Sequence, residues 1–592
     1  MKPTRRKFLY ETGSFATGLL LLPGTLRASS ERDMDTPSSS KAGTTYYVDT
    51  AGNNQNSGTS SSEPWKDFSE IDKKTFAPGD SLLLKRGCVW RDQLTLNGAG
   101  SPSQFLVVAA YGTGNRPKIQ RDGHSSSRCM RLNNASYVKV SNIEVCNGGA
   151  GIVLYYDHSY NNRSVYFDDI VAHDFMGLPG RAEGGPNDRV TWSYGIGVTG
   201  VEDTPHNQTR VLSDLRIANT EVYNTGSGIA LDWGNHYCVD GSLALSNKFG
   251  DVSMENLNLH DNTVDGISFA SLFITSVTGC TIKNSTIDKG TKFAPTGTSA
   301  LQIMFSKDVT LQNVTISNTP FNACPDNTAL DFECDNENPT IDGCTFKNNA
   351  GPAIEILATP GIPNPYTRNL VVKNCTFIGN NWARKLGNCQ ISVADWQHGN
   401  FPTGAIRDNK YSNAPHTDFF GGDGNTTKID LVHNTNIGKA ELGPRVLKVW
   451  KFETDGDFQG WQNGPYSNGI RNLRASGGSL TGTVTGIDPN VVSSDPLNLP
   501  LTPETFVEVV IKNGTAALFA QVYFVTDANQ AWSETKHRDF WLYPESAGFM
   551  TYQVDMSSVA GWTGKLKRLR IDPEQGAASG TFSIRQISIL SR

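Results

Sequence analysis

Asp331, Glu333 and Glu355 are the residues whose types and spacing could carry chemistry. Asp331 and Glu333 stand two apart in Ala329-Leu-Asp-Phe-Glu, and Glu355 holds the place of Asp331 in the phrase Ala353-Ile-Glu-Ile. If both phrases are β-strands, alternate side chains share a face, so all three acids leave one side of a sheet. Gln302, in Ala300-Leu-Gln-Ile, falls on the same face one strand earlier. Adjacent strands are ~4.8 Å apart and same-face neighbours along a strand ~6.6 Å apart. Asp331 and Glu355 then stack side by side, with Glu333 next to the first and diagonal to the second. Three acids this close repel when ionised, so at least one is expected to keep its proton near neutral pH. A protonated acid beside an ionised one is what glycosidic-bond hydrolysis requires: one protonates the leaving oxygen, the other attacks or activates water. The side-by-side pair suits the ~5 Å separation of retaining enzymes and the diagonal pair the longer inverting one; both stay open. The same oxygens also suit calcium.

The elements that would position these acids are visible as a repeat. A small residue followed by alternating apolar positions begins at Gly151, Gly195, Gly228, Gly266, Ala300, Ala329 and Ala353, and a related phrase begins at Gln390. The starts are 24 to 44 residues apart, as in a solenoid that keeps one rigid strand per coil and tolerates loops of different length. With Ile and Leu inward, the outward positions include Val153, Gly197, Ala230, Asp232, Ser268, Ala270, Gln302, Met304, Asp331, Glu333, Glu355, Leu357, Ser392 and Ala394. A second strand family ends near Asn147, Asn262, Asn284, Asn318, Asn348 and Asn380, which suit left-handed turns. Long insertions at 173–192 and 233–250 are expected to wall a cleft. They and the neighbouring strands supply the substrate-binding candidates Arg181, Asp232, Trp233, His236, Gln302, Lys307 and Trp396. Trp192 is a further candidate sugar platform, and Asp395 lies with Asp232 further along the acid-bearing surface.

The segment Tyr46-Tyr-Val-Asp, Pro64-Trp, Pro78-Gly-Asp-Ser-Leu-Leu-Leu and Ala109-Ala-Tyr-Gly resembles the opening of many bacterial right-handed parallel β-helix proteins of the pectate-lyase-like superfamily. That resemblance implies an N-terminal cap on a solenoid and a carbohydrate-active enzyme. The acid cluster resembles that of β-helix glycoside hydrolases of the β-xylosidase and carrageenase types. By that likeness Asp331 is nucleophile or base, Glu355 proton donor, and Glu333 tunes or exchanges roles. Asp331-Phe-Glu333 also resembles the calcium-holding pair of β-helix polysaccharide lyases of the chondroitinase B and alginate lyase types. Such lyases need a Lys and an Arg; none follows in Cys334-Asp-Asn-Glu-Asn338, so Lys307 or Arg181 would have to fold over the site.

Thr4-Arg-Arg-Lys-Phe-Leu9, an apolar stretch around Phe15–Leu22 and Ala28 have the order of a twin-arginine export signal over residues 1–30, with 31–44 a linker. The apolar run is too short for a transmembrane span. The mature chain is expected in the periplasm or outside the cell, as a monomer. A net charge of −6 gives no reason to expect nucleic acid as a partner. Of the ten cysteines, Cys280, Cys344 and Cys375 recur as Cys-Thr-apolar at a position also held by Val314, which predicts an inward stack of reduced thiols; Cys324 and Cys334 flank one loop and could form a bridge. No spacing suggests zinc, and calcium is the one metal the acids would suit.

After residue 443 the texture changes. Trp450, Trp461, Trp532, Trp541 and Trp562 crowd into 446–592 among alternating strands and Gly/Pro turns, which predicts a β-sandwich. It is similar to the C-terminal modules of carbohydrate-active enzymes, with Trp532, Trp541 and Tyr543 placed to stack on sugars. The chain thus reads as all-β, a right-handed parallel β-helix over 45–443 with a β-sandwich, acting on a polysaccharide. Hydrolysis is the first reading, with β-elimination and non-catalytic glycan binding as the alternatives.

Overall fold

The computed structural model describes residues 43–591 apart from 123–126, 176–193, 202–208, 233–247, 263–269, 292–296, 322–324, 359–365, 395–400, 415–416, 439–443, 465–468, 487, 495, 518, 543–545, 547 and 576–578. Strands from Thr45 to Asn436 pair only in parallel, coil upon coil, in one long sheet and a second of 12 strands among the described residues. This is the expected right-handed β-helix. Its interior is a single apolar stack that includes Ile152, Ile196, Ile229, Leu301, Leu330, Ile354 and Ile391. At two of the coils the opening glycine has a steric cause. A Cβ at Gly151 would lie 2.3 Å from the Gly195 carbonyl oxygen, and one at Gly228 would lie 2.6 Å from that of Ser271.

The opening segment is itself the first rung. Thr45–Val48 pairs in register with Ser81–Leu84, and Trp65, Phe68 and Trp90 plug the end of the stack.

Seven of the eight expected strands form at the predicted positions. The phrase begun at Gly266 lies outside the described residues, and the strand of that coil among them is Leu272–Thr275, with Phe273 between Ala230 and Gln302 in the ladder. Phe273 and Thr275 take outward places in that ladder, and Ser268 lies outside the described residues. Ser271-Leu-Phe-Ile fits a small residue followed by an apolar run as Gly266-Ile-Ser-Phe fits an alternating one, so the sequence pattern alone does not choose between two consecutive phrases.

The asparagines divide into two kinds. Asn147, Asn284, Asn318 and Asn348 have φ of 51° to 59°, the left-handed turn expected. Asn262 and Asn380 do not; the left-handed residues beside them are Asp261, and Gly379 with Asn381. Asn262 and Asn380 turn inward and are buried, where Asn380 Nδ2 donates to Gln390 Oε1 (2.8 Å) and Asn380 Oδ1 accepts from Asn349 Nδ2 (2.7 Å). Stacked coils bring equivalent amides within reach, and the amide, with both donor and acceptor, satisfies the next rung.

Cys280, Cys344 and Cys375 are buried free thiols, as expected, but they are not one stack. Cys280 pairs with Val252 and Val309, whereas Cys344 and Cys375 immediately precede Thr345 and Thr376, as Val314 precedes Thr315. Cys324 lies outside the described residues, and Cys334 is buried.

From Arg445 the pairing is antiparallel, in two six-stranded sheets among the described residues, which face each other across a core holding Trp450, Trp461 and Trp562. Those three tryptophans are filler. Trp532 is half-buried beneath Arg568, while Tyr543 and the side chain of Trp541 lie outside the described parts. The sandwich meets the solenoid along its left-handed corner. Lys289 binds both Asp261 (3.1 Å) and Asp555, Arg538 donates to Asn224 (3.5 Å), and the Phe321 amide donates to Gln553 Oε1 (3.2 Å).

Candidate active site

The acids sit on the outward face of the 12-stranded sheet, in the expected register. Gln302 pairs with Asp331, Asp331 with Glu355, and Glu355 with Ser392, while Met304, Glu333 and Leu357 form the adjacent column. Parallel pairing without a bulge holds these columns, because Leu330 and Phe332 anchor the opposite face of the strand in the core.

Outward does not mean solvated. Asp331, Glu333 and Glu355 are 3%, 5% and 0% exposed. Gln302 Nε2 donates to Glu333 Oε2 (2.9 Å), and Thr328 Oγ1 donates to Glu355 Oε2 (2.9 Å). Thr328 opens the strand that carries Asp331. Like-charged neighbours on one sheet face are destabilising unless something compensates, and burial makes the repulsion stronger. Such an arrangement is costly as decoration.

The outward face is apolar over the preceding coils. Val153, Ala230, Phe273 and Met304 are buried together there, with Tyr155 packed against them and the Arg131 guanidinium 4.0 Å from the Tyr155 ring. Beyond Glu333 the chain turns a corner. Asp335 is bound by Arg368 (2.7 Å), yet burial raises its pKa against the lowering effect of that guanidinium.

Among the substrate-binding candidates, Gln302 joins the acids. Asp232, half-buried, directly follows the strand Ser227–Leu231 on the same face. Lys307 is not brought to them. It opens the strand Lys307–Gln312 of the other sheet and pairs with Glu337 (3.1 Å), because Met304, Phe305 and Ser306 carry the chain round the corner first. Arg181, Trp233, His236 and Trp396, with Trp192 and Asp395, lie outside the described residues. Thr328, Phe273 and Arg368 were missed. Thr328 and Arg368 carry no motif, whereas Phe273 stands in the apolar run after Ser271.

Comparison with known proteins agrees with the architecture. Residues 194–404 match the family described as "Right handed beta helix region". Lacto-N-biosidase of Bifidobacterium longum is 29% identical over 164 residues, covering 23% of this chain and 10% of that protein. The chain thus spans about a tenth of that relative. The solved lacto-N-biosidase of glycoside hydrolase family GH136 from Eubacterium ramulus superposes with a TM-score of 0.52 at 15% identity, over 67% of this chain and 68% of that one. An alginate lyase from Paenibacillus gives a TM-score of 0.33 at 15% identity, over 61% and 95%.

Proposed function

We propose that this right-handed parallel β-helix protein is an exported glycoside hydrolase whose reaction centre is the Asp331 cluster. The observation that carries the reading is the burial of three carboxylates on adjacent outward rungs. Two carboxylates one rung apart in a dry site cannot both ionise cheaply, so the cluster holds a proton to give to the glycosidic oxygen while an ionised partner attacks or activates water. The water-poor surroundings strengthen that exchange.

Asp331 is the shared member, beside Glu355 across the ladder and Glu333 along the strand. Glu333 keeps some exposed surface and Glu355 none. We therefore assign Asp331 and Glu333 to contact with the sugar and Glu355 to setting the protonation of Asp331, a change from the Asp331–Glu355 pairing that the family likeness implies. Two lacto-N-biosidases among the similar proteins make oligosaccharides ending in lacto-N-biose the first substrates to try, ahead of plant and algal polysaccharides. Export by the twin-arginine route and glycan binding by the sandwich belong to the same proposal.

The test follows reducing ends and ultraviolet absorbance together on that panel, with Asp331→Asn, Glu333→Gln and Glu355→Gln. Reducing ends without absorbance are expected, with kcat reduced at least ~10³-fold in the first two variants. Glu355→Gln should instead shift the pH profile and retain partial activity. Unsaturated products would mean β-elimination and overturn the hydrolase reading. Full activity in both Asp331→Asn and Glu333→Gln would remove the site.

A further inference from the structure

Away from the acid face, on the long sheet, one coil corner gathers a different set of side chains. Glu144 and Cys146 lie two apart on the strand Val138–Gly148 and so share a face, and His173 pairs with Cys146 on the next rung. One ligand atom from each of Glu144, Cys146 and His173 lies within 4.8 Å of the other two. His173 Nε2 is 3.2 Å from Glu144 Oε1.

The imidazole is held for that position. His173 Nδ1 is 2.7 Å from Asp174 Oδ2, and Asn224 donates to the same carboxyl group. Tyr223 stacks on the ring at 4.7 Å with planes 2° apart. A carboxylate on one ring nitrogen fixes the tautomer that turns the other toward a metal, and raises its basicity. Cys146 is a buried free thiol. The cations facing it are Lys118, 2.6 Å from Glu144 Oε1, and Arg91. Lys118 is about a third exposed and can leave for solvent.

We propose that Glu144, Cys146 and His173 form a zinc site, with water as the fourth ligand and Asp174 as the residue that positions His173. Thiolate, imidazole and carboxylate are the ligands of zinc, and three protein ligands leave one tetrahedral position open. On binding, the Cys146 thiol proton passes to solvent, and the metal replaces any proton held between His173 Nε2 and Glu144. No change of oxidation state is involved. The site pins the rung that ends at Phe175, next to the row of turns that meets the sandwich, and it is independent of the reading of the acid face.

The experiment uses the full chain stripped with a chelator, with cobalt(II) as a spectroscopic probe and zinc as the stabilising ion. A thiolate-to-cobalt charge-transfer band is expected in the parent protein and in Asp331→Asn, and its loss in Cys146→Ser. Zinc should raise the thermal midpoint of the parent but not of His173→Gln. Asp174→Asn should keep the band and weaken zinc ~10–100-fold, because Asp174 acts only through the imidazole. A folded parent without the band would overturn the site, as would a band that survives Cys146→Ser. If Cys146→Ser fails to fold, an unchanged zinc response in His173→Gln decides against it.

Discussion

At the scale of single residues, the acid face depends on small donors that carry no motif. Thr328 reaches Glu355 from the first position of its strand. Thr328→Val keeps the shape and deletes the hydroxyl, leaving a buried carboxylate one donor short. We expect a loss of about 1–3 kcal/mol in unfolding free energy, read by urea denaturation; an unchanged midpoint would show that the hydroxyl is immaterial. His260 offers a pH test. Burial alone would lower its pKa, but hydrogen bonds and charge from Asp261 and Glu221 outweigh it and raise the net value. A group whose pKa is raised on folding stabilises fully below its unfolded value, ~6.5, and that contribution fades as pH climbs through the folded value. The thermal midpoint should therefore decline as pH rises above ~6.5, and His260→Gln should flatten the decline.

At the scale of elements, each coil is held by its rung neighbours, so a defect in one ladder is felt locally. Asn380 sits within a buried chain of amides running from Asn349 to Gln390 and also donates to the Phe346 carbonyl (3.0 Å). Asn380→Ala strands those partners and should cost about 1–3 kcal/mol, with faster amide exchange in the coils that carry Phe346 and Gln390 and little change near the N-terminal cap. Uniform change along the solenoid would contradict coil-by-coil stability. Periodicity gave no warning here. The expectation of left-handed turns held at Asn318 and failed at Asn380, one residue past the left-handed Gly379. A shift of one position exchanges turn for interior.

At the scale of the molecule, the sandwich is held to the solenoid by polar contacts from the left-handed corner. Lys289 is the hub, bound to Asp261 on its own domain and Asp555 on the other. Lys289→Ala leaves two acids facing each other. Calorimetry should then show the sandwich unfolding separately, ~2–4 °C below its parent midpoint for each kcal/mol lost. A single unshifted transition would mean that the junction contributes nothing to stability.

The strand positions, the inward stack and the columns of Gln302, Asp331, Glu333 and Glu355 were legible in the chain, because parallel strands of period two leave few ways to pair a repeated phrase. The phrase at Leu272 was not legible in that way, since only pairing with Ala230 and Gln302 on the neighbouring rungs places Phe273 in the column. Lys307, three residues past Met304, is not brought to the acids, because a corner reorients the chain within that span. Burial was also invisible. Alternation says which way an acid points, whereas its exclusion from water depends on what the rest of the molecule lays over it. Glu144, Cys146 and His173 show the same division. Their types stand in the sequence, but Cys146 and His173 are 27 positions apart, and only the register of one coil upon the next makes them neighbours.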